Sequence, residues 1–101
     1  AMTQCGTPYY FSPELCQNRP YNSKSDIWSL GCILYEMMAL RRPFEAGNVP
    51  ALVRNICRGT YAPLPPAFSA QLRGLADAML RQDPTQRPSV NQIMRLGFVQ
   101  A

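Results

Sequence analysis

At 101 residues, 47% apolar and a formal charge of +4, the chain has room for one globular domain and lacks the composition of a disordered segment. It contains no His, which excludes a His general base, a zincin helix and a Cys2His2 finger within these residues, and its nine Arg and single Lys form no run that would mark a nucleic-acid or polybasic membrane footprint. Cys5, Cys16, Cys32 and Cys57 leave no C-x-x-C pair, and without a signal peptide they read as reduced, mostly buried thiols rather than a two-disulfide framework.

Residues 1–22 carry Pro8, Pro13, Pro20 and Gly6, so they are predicted to be loop with at most a short helix around Glu14–Gln17. Ser23-Lys24-Ser25-Asp26 has the form of a capping box and opens a predicted helix over 23–40. Eleven of the fourteen residues from Ile27 to Leu40 are apolar, which places this helix in the middle of something. The stretch is still shorter than the roughly 20 residues a bilayer requires.

After the Arg41-Arg42-Pro43-Phe44 break, Val49, Leu52, Val53 and Ile56 give an amphipathic helix ending near Gly59. Pro63, Pro65 and Pro66 force an extended connection. Leu72, Leu75, Ala76, Met79 and Leu80 repeat the helical spacing behind Ser69 as N-cap. Asp83-Pro84-Thr85-Gln86-Arg87-Pro88 is a turn by composition, and Ser89-x-x-Gln92 opens a last helix that Gly97 is expected to end. No period-2 run long enough for a strand occurs. The fold class predicted is all-α, with about four main helices behind a loop-rich N-terminal segment.

Three runs carry more than fold: Gly6-Thr7-Pro8-x-Tyr10-x-Ser12-Pro13-Glu14, Ser25-Asp26-Ile27-Trp28-Ser29-Leu30-Gly31, and Asp83-Pro84-x-x-Arg87-Pro88. In this order and spacing they resemble the helical C-terminal lobe of a eukaryotic protein kinase catalytic domain, with Ser12 standing for the usual Ala of A-P-E. The Gly-Thr form is that of serine/threonine kinases. Asn18-x-Pro20-Tyr21-Asn22-x-Lys24-Ser25-Asp26-Ile27-Trp28 and Phe44-Glu45-Ala46 make the NIMA-related kinases the nearest group, with Cys5 and Arg19 as departures. The resemblance spans residues 1–101 as a partial kinase domain: 1–22 as the end of the activation segment and the docking loop, 23–40 as the central buried helix, 48–101 as the remaining helices.

The resemblance implies roles that compete with plainer readings. Asp26 would accept backbone N–H groups of the catalytic loop, where the sequence alone makes it the far half of a capping box. Glu14 and Arg87 would pair across 73 residues and pin the docking segment to the turn before the last helix; otherwise they are surface charges. Thr7 would face the catalytic Asp and help seat the substrate hydroxyl, and Pro8 and Phe11 would line the pocket for the residue after the phosphoacceptor; a Thr-Pro in a turn is otherwise unremarkable. Thr3 occupies the position of a regulatory phosphosite and is equally readable as inert. Trp28, Leu30, Ile33 and Met37 are expected in the core, with Ile33 and Met37 propping the column beneath the adenine. The 49–56 helix and the Arg41/Arg42 corner lie where many kinases recruit partners, and are expected to be solvated here.

Phosphoryl transfer requires a loop over the phosphates, a Lys on them, metal-binding Asp and Asn, and a base. These residues contain no G-x-G-x-x-G, V-A-I-K, H-R-D-x-x-x-x-N or D-F-G, so the chain is expected to be a fragment or truncated product, not catalytic alone and with no metal site. ATP and Mg2+ would serve the intact kinase and bind none of this chain. Three readings stay open: part of an active serine/threonine kinase, a pseudokinase-like binding module, or a stand-alone helical interaction protein. Expected partners are a protein substrate and the parent's N-terminal lobe and catalytic loop, with no nucleic acid and no membrane. An intracellular, cytoplasmic location, with nucleus or microtubules by resemblance, goes with the free thiols and the family. Without the parent's cover the central helix should expose apolar surface and the Asp26 carboxylate, making a marginally stable, aggregation-prone product.

Overall fold

A computed structural model describes residues 6–100, and among them regular structure is helical throughout. In chain order these are α1 (Pro13–Cys16), α2 (Ser23–Ala39), α3 (Val49–Arg58), α4 (Ala70–Met79), a 3-10 turn (Pro84–Gln86), α5 (Val90–Met94) and α6 (Gly97–Gln100). The boundaries follow from side chains that satisfy free backbone groups. Ser12, Asn48 and Ser69 cap α1, α3 and α4, while Ser89 and Gln92 close a reciprocal capping box on α5. Gly59 ends α3 at φ 67°, a left-handed conformation that costs glycine nothing.

Two local expectations change. The Asn22 side chain accepts from Lys24 N at 2.8 Å and Ser25 N at 3.1 Å, so α2 is capped by Asn22 rather than by Ser23. Ser23 is thereby the first helical residue, and Asp26 lies one position beyond where a capping-box acid would reach back. At the other end, the Leu96 carbonyl accepts from Val99 N and Gln100 N, so Gly97 starts α6 instead of terminating the chain's helical structure.

α2 is the axis of the core. Ile27, Trp28, Cys32, Tyr35 and Met38 are buried along it, and α4 packs on the same side through Ala76, Met79 and Leu80. The crossing is close at Gly31, where an added Cβ would lie 2.8 Å from the Met79 Cβ. Trp28 stacks on Phe44 at 5.5 Å between centroids, and Tyr61 meets the edges of Phe44 and Tyr35. Tyr35 is fully buried, and its hydroxyl finds a partner in the Ala62 carbonyl at 2.5 Å, which ties the Pro-rich connection to the core.

The opposite side of α2 is bare. Leu30, Ile33, Met37 and Leu40 are 49, 45, 65 and 88% exposed, so three residues expected in the core, Leu30, Ile33 and Met37, are not part of it. A helix that is apolar all round needs neighbours on both sides, and the described residues supply one. Cys16 and Cys32 are buried free thiols, and Cys57 is a half-buried one; Cys5 lies outside the described residues.

Candidate functional site

The site is organised by a guanidinium. Arg87, 2% exposed, meets Glu14, 4% exposed, in two parallel bonds: Nη1 to Oε2 at 2.7 Å and Nη2 to Oε1 at 2.9 Å. Its other three N–H groups go to the carbonyls of Arg81 (2.7 Å), Lys24 (2.9 Å) and Gln82 (3.1 Å). A guanidinium has five N–H donors, so none is left unpaired. The ring of Trp28 lies 5.0 Å below its carbon.

The carboxylate is equally well held. Ser25 Oγ donates to Glu14 Oε2 at 2.8 Å. Burial alone would raise the Glu14 carboxyl, but the bonds from Arg87, its own backbone N–H and Ser25 outweigh it and bring it from 4.5 to about 2. Lys24 Nζ donates to the Arg87 carbonyl at 2.6 Å, which ties the start of α2 to the turn a second time.

The local sequence explains how the pieces arrive. Ser12 caps α1 and Pro13 occupies its first position, which sets Glu14 on the buried side of a single helical turn. Asp83 accepts from Thr85 N and Oγ1 at 2.9 and 2.8 Å, folding residues 81–87 back so that two carbonyls face Arg87. The Thr85 hydroxyl, followed by its backbone N–H, holds the Asp83 carboxyl below its ordinary range.

Upstream of the pair, residues 6–12 lie along α2. Ser29 Oγ donates to the Tyr10 carbonyl at 2.7 Å, and the Tyr10 hydroxyl donates to Glu36 Oε1 at 2.6 Å, a bond that raises the Tyr10 pKa. Arg42 stacks on the Tyr9 ring at 3.9 Å. Pro8 is buried, Phe11 is half-buried against the core, and Phe11 N donates to the Pro8 carbonyl at 3.3 Å. Thr7 is exposed, and among the described residues its hydroxyl makes no hydrogen bond.

The predicted site residues thus fall into four places, the first being the segment of Thr7, Pro8 and Phe11 before α1. Glu14, Arg87 and Trp28 are together in the interior. Ile33 and Met37 join Tyr10, Glu36 and Leu40 around an open groove of about 430 Å³. Asp26 is exposed on the first turn of α2, where it accepts from the Tyr21 hydroxyl. Thr3 lies outside the described residues. Sequence reasoning missed Ser25, Lys24 and the carbonyls of Arg81 and Gln82; the only available signal was a Ser and a Lys on the first turn of an otherwise apolar helix.

A family model described as "Protein kinase domain" matches residues 1–99. The chain belongs to the protein kinase family. It is 50% identical over 100 residues to the serine/threonine-protein kinase Nek5 of Homo sapiens, covering 99% of this chain and 14% of that protein. It is also 52% identical over 99 residues to Nek1 of Mus musculus (98% and 8%), and 56% identical over 100 residues to the probable kinase nek3 of Dictyostelium discoideum (98% and 9%). These relatives are NIMA-related kinases, and the chain spans a small part of their length.

Kinases use ATP with Mg2+, so the fit of these residues to that group can be judged. Among the described residues no three His, Cys, Asp or Glu side chains come together as metal ligands. The one Lys is already engaged by the Arg87 carbonyl, and the exposed Asp26 carboxylate by Tyr21. No helix among them is long and apolar enough to cross a membrane.

Proposed function

We propose that this chain is the substrate-docking half of a serine/threonine protein kinase domain, whose complete polypeptide moves the ATP γ-phosphoryl to a protein hydroxyl. The observation that carries the reading is the buried Glu14–Arg87 clamp, because it fixes the end of an otherwise irregular segment to the helical core. A loop that must present the same face to each incoming peptide needs such an anchor. With Ser29 and Glu36 holding Tyr10 from α2, residues 7–11 are secured at the C-terminal side of the peptide seat.

In this reading the exposed Thr7 hydroxyl is free to meet the acceptor side chain, while Pro8 and Phe11 shape the wall beside it. Asp26, on the same helix as the bare apolar stripe, accepts backbone N–H groups of the catalytic loop. Leu30, Ile33 and Met37 form the bed on which that loop and its helix rest. The ATP and Mg2+ ligands belong to polypeptide outside these residues, as does the catalytic base, so no chemical step is assigned to this chain. The peptide substrate is its principal partner, and an intracellular location follows from the family reading and the free thiols. Thr3 is the candidate regulatory phosphosite.

Steady-state phosphorylation of a Ser/Thr peptide by the whole kinase domain tests this. Thr7→Val should lower kcat, and Pro8→Gly should raise the peptide KM, with ATP binding unchanged in both. A whole domain that binds no nucleotide and transfers no phosphate would replace this reading with the pseudokinase-like binding module.

A further inference from the structure

Two thiols outside the clamp lie where the docking side of the molecule meets α3. Cys16 closes α1, two residues after Glu14, and is 9% exposed. Cys57 is on the last turn of α3 and half-buried. α1 and α3 pack on each other, and the amide of Gln17, the residue after Cys16, reaches the Cys57 sulfur at 3.8 Å. Both cysteines join the same apolar cluster. The third free thiol among the described residues, Cys32, is fully buried in α2.

We propose that Cys16 and Cys57 are a redox pair, which a peroxide converts to a disulfide linking the docking segment to α3. Cys57 reacts first, because it is the more open of the two to solvent. The Cys57 thiolate attacks one peroxide oxygen; the O–O bond breaks, leaving a sulfenic acid and a hydroxide that takes up a proton as water. The Cys16 sulfur then attacks the sulfenic sulfur. The S–S bond forms, the S–O bond breaks, and the departing hydroxyl leaves as a second water with the Cys16 proton. Two thiols are oxidised and one peroxide is reduced.

The order of events has an electrostatic side. Burial, then charge on Cys57, then charge on Glu14, pushes the Cys16 thiol up to about 11. Cys16 is therefore held as the thiol and gives up its proton only as it meets the sulfenic sulfur. Burial, opposed by the charge on Arg87 and helped by that on Glu36, pushes Cys32 further, to about 12, and nothing opens it to solvent. Once formed, the link would hold Glu14 and the peptide-docking residues before it to α3.

The test is peroxide treatment of the whole kinase domain at pH 7.5, capping of remaining thiols after unfolding, and tryptic mass spectrometry. Because Arg19 precedes Pro20, Cys16 falls together with Cys5 in a peptide ending at Lys24, and Cys57 in Asn55–Arg58, so fragmentation of the joined peptides reads which of the two is linked and which is capped. The expected product is these two peptides joined, lighter by two hydrogens and separated by dithiothreitol. Cys57→Ser should abolish it, and Cys32→Ala should not. Overoxidised Cys57 with Cys16 still free to be capped, a link from Cys57 to Cys5 instead, or thiols that survive peroxide intact would each overturn the pair.

Discussion

The two sides of α2 carry opposite kinds of order. Toward Arg87 the helix meets a buried polar network in which all five guanidinium donors are paired and the carboxylate is doubly held, above an indole ring whose own N–H finds no partner among the described residues. Toward Leu30, Ile33, Met37 and Leu40 it presents apolar side chains to water. Hydrophobicity alone would have put the second side inside and the first side out. The comparison shows that burial along this helix is assigned by which neighbours carry specific partners, since a buried ion pair is tolerable only where every donor and lone pair is met.

The largest effect expected from breaking the ordered side is that of Arg87→Ala. It strands the Glu14 carboxylate in the interior and should cost about 3–5 kcal/mol, read from urea unfolding. Arg87→Lys should recover little of this, because an ammonium has three donors where five are used. The same pair sets an acid limit. Glu14 titrates lower in the folded chain than unfolded, so its stabilisation is complete above about pH 4.5 and is lost as pH falls toward about 2. Melting temperature measured across that window should drop more in the parent chain than in Glu14→Gln.

Smaller changes sharpen the contrast. Ser25→Ala removes one bond to a buried carboxylate and should cost about 1.5–3 kcal/mol by the same unfolding assay. On the bare side, Leu40 ends α2 in the left-handed region at φ 60° while 88% exposed, so Leu40→Gly should stabilise by about 1 kcal/mol. Least of all, Ile33→Gln with Met37→Gln should shift the stability of this 101-residue chain by about 0.5 kcal/mol or less while reducing its aggregation in light scattering. In the whole kinase domain the same double change should be strongly destabilising if a catalytic-loop helix rests there.

Much of the helical frame is readable because its determinants are local. Ser69, Ser89 with Gln92, and Gly59 each act within one turn of the helix they bound. Asn22 was hidden because Ser23-x-x-Asp26 satisfies the same pattern one residue later, and only backbone geometry separates the two registers. Gly97 misled for a similar reason: a glycine after an apolar run signals a stop, and here Leu96 offers its carbonyl to a new turn. Glu14 and Arg87 are separated by 73 residues, so no periodicity links them, and only the family resemblance set them side by side. Ser25 shows only as a polar residue on the first turn of a mostly apolar helix, and the carbonyls of Arg81 and Gln82 have no sequence signature.

Gly31 sets a stiffer constraint than its size suggests. The atom that an added methyl would strike is the Cβ of Met79, which every residue but glycine possesses. Shortening the side chain at 79 therefore gives no relief, and even Met79→Ala would leave the collision in place. Accommodating any larger residue at 31 requires the two helical axes to separate, drawing Met79 and Leu80 away from α2. The spacing of the whole lobe is thus gauged by a hydrogen atom.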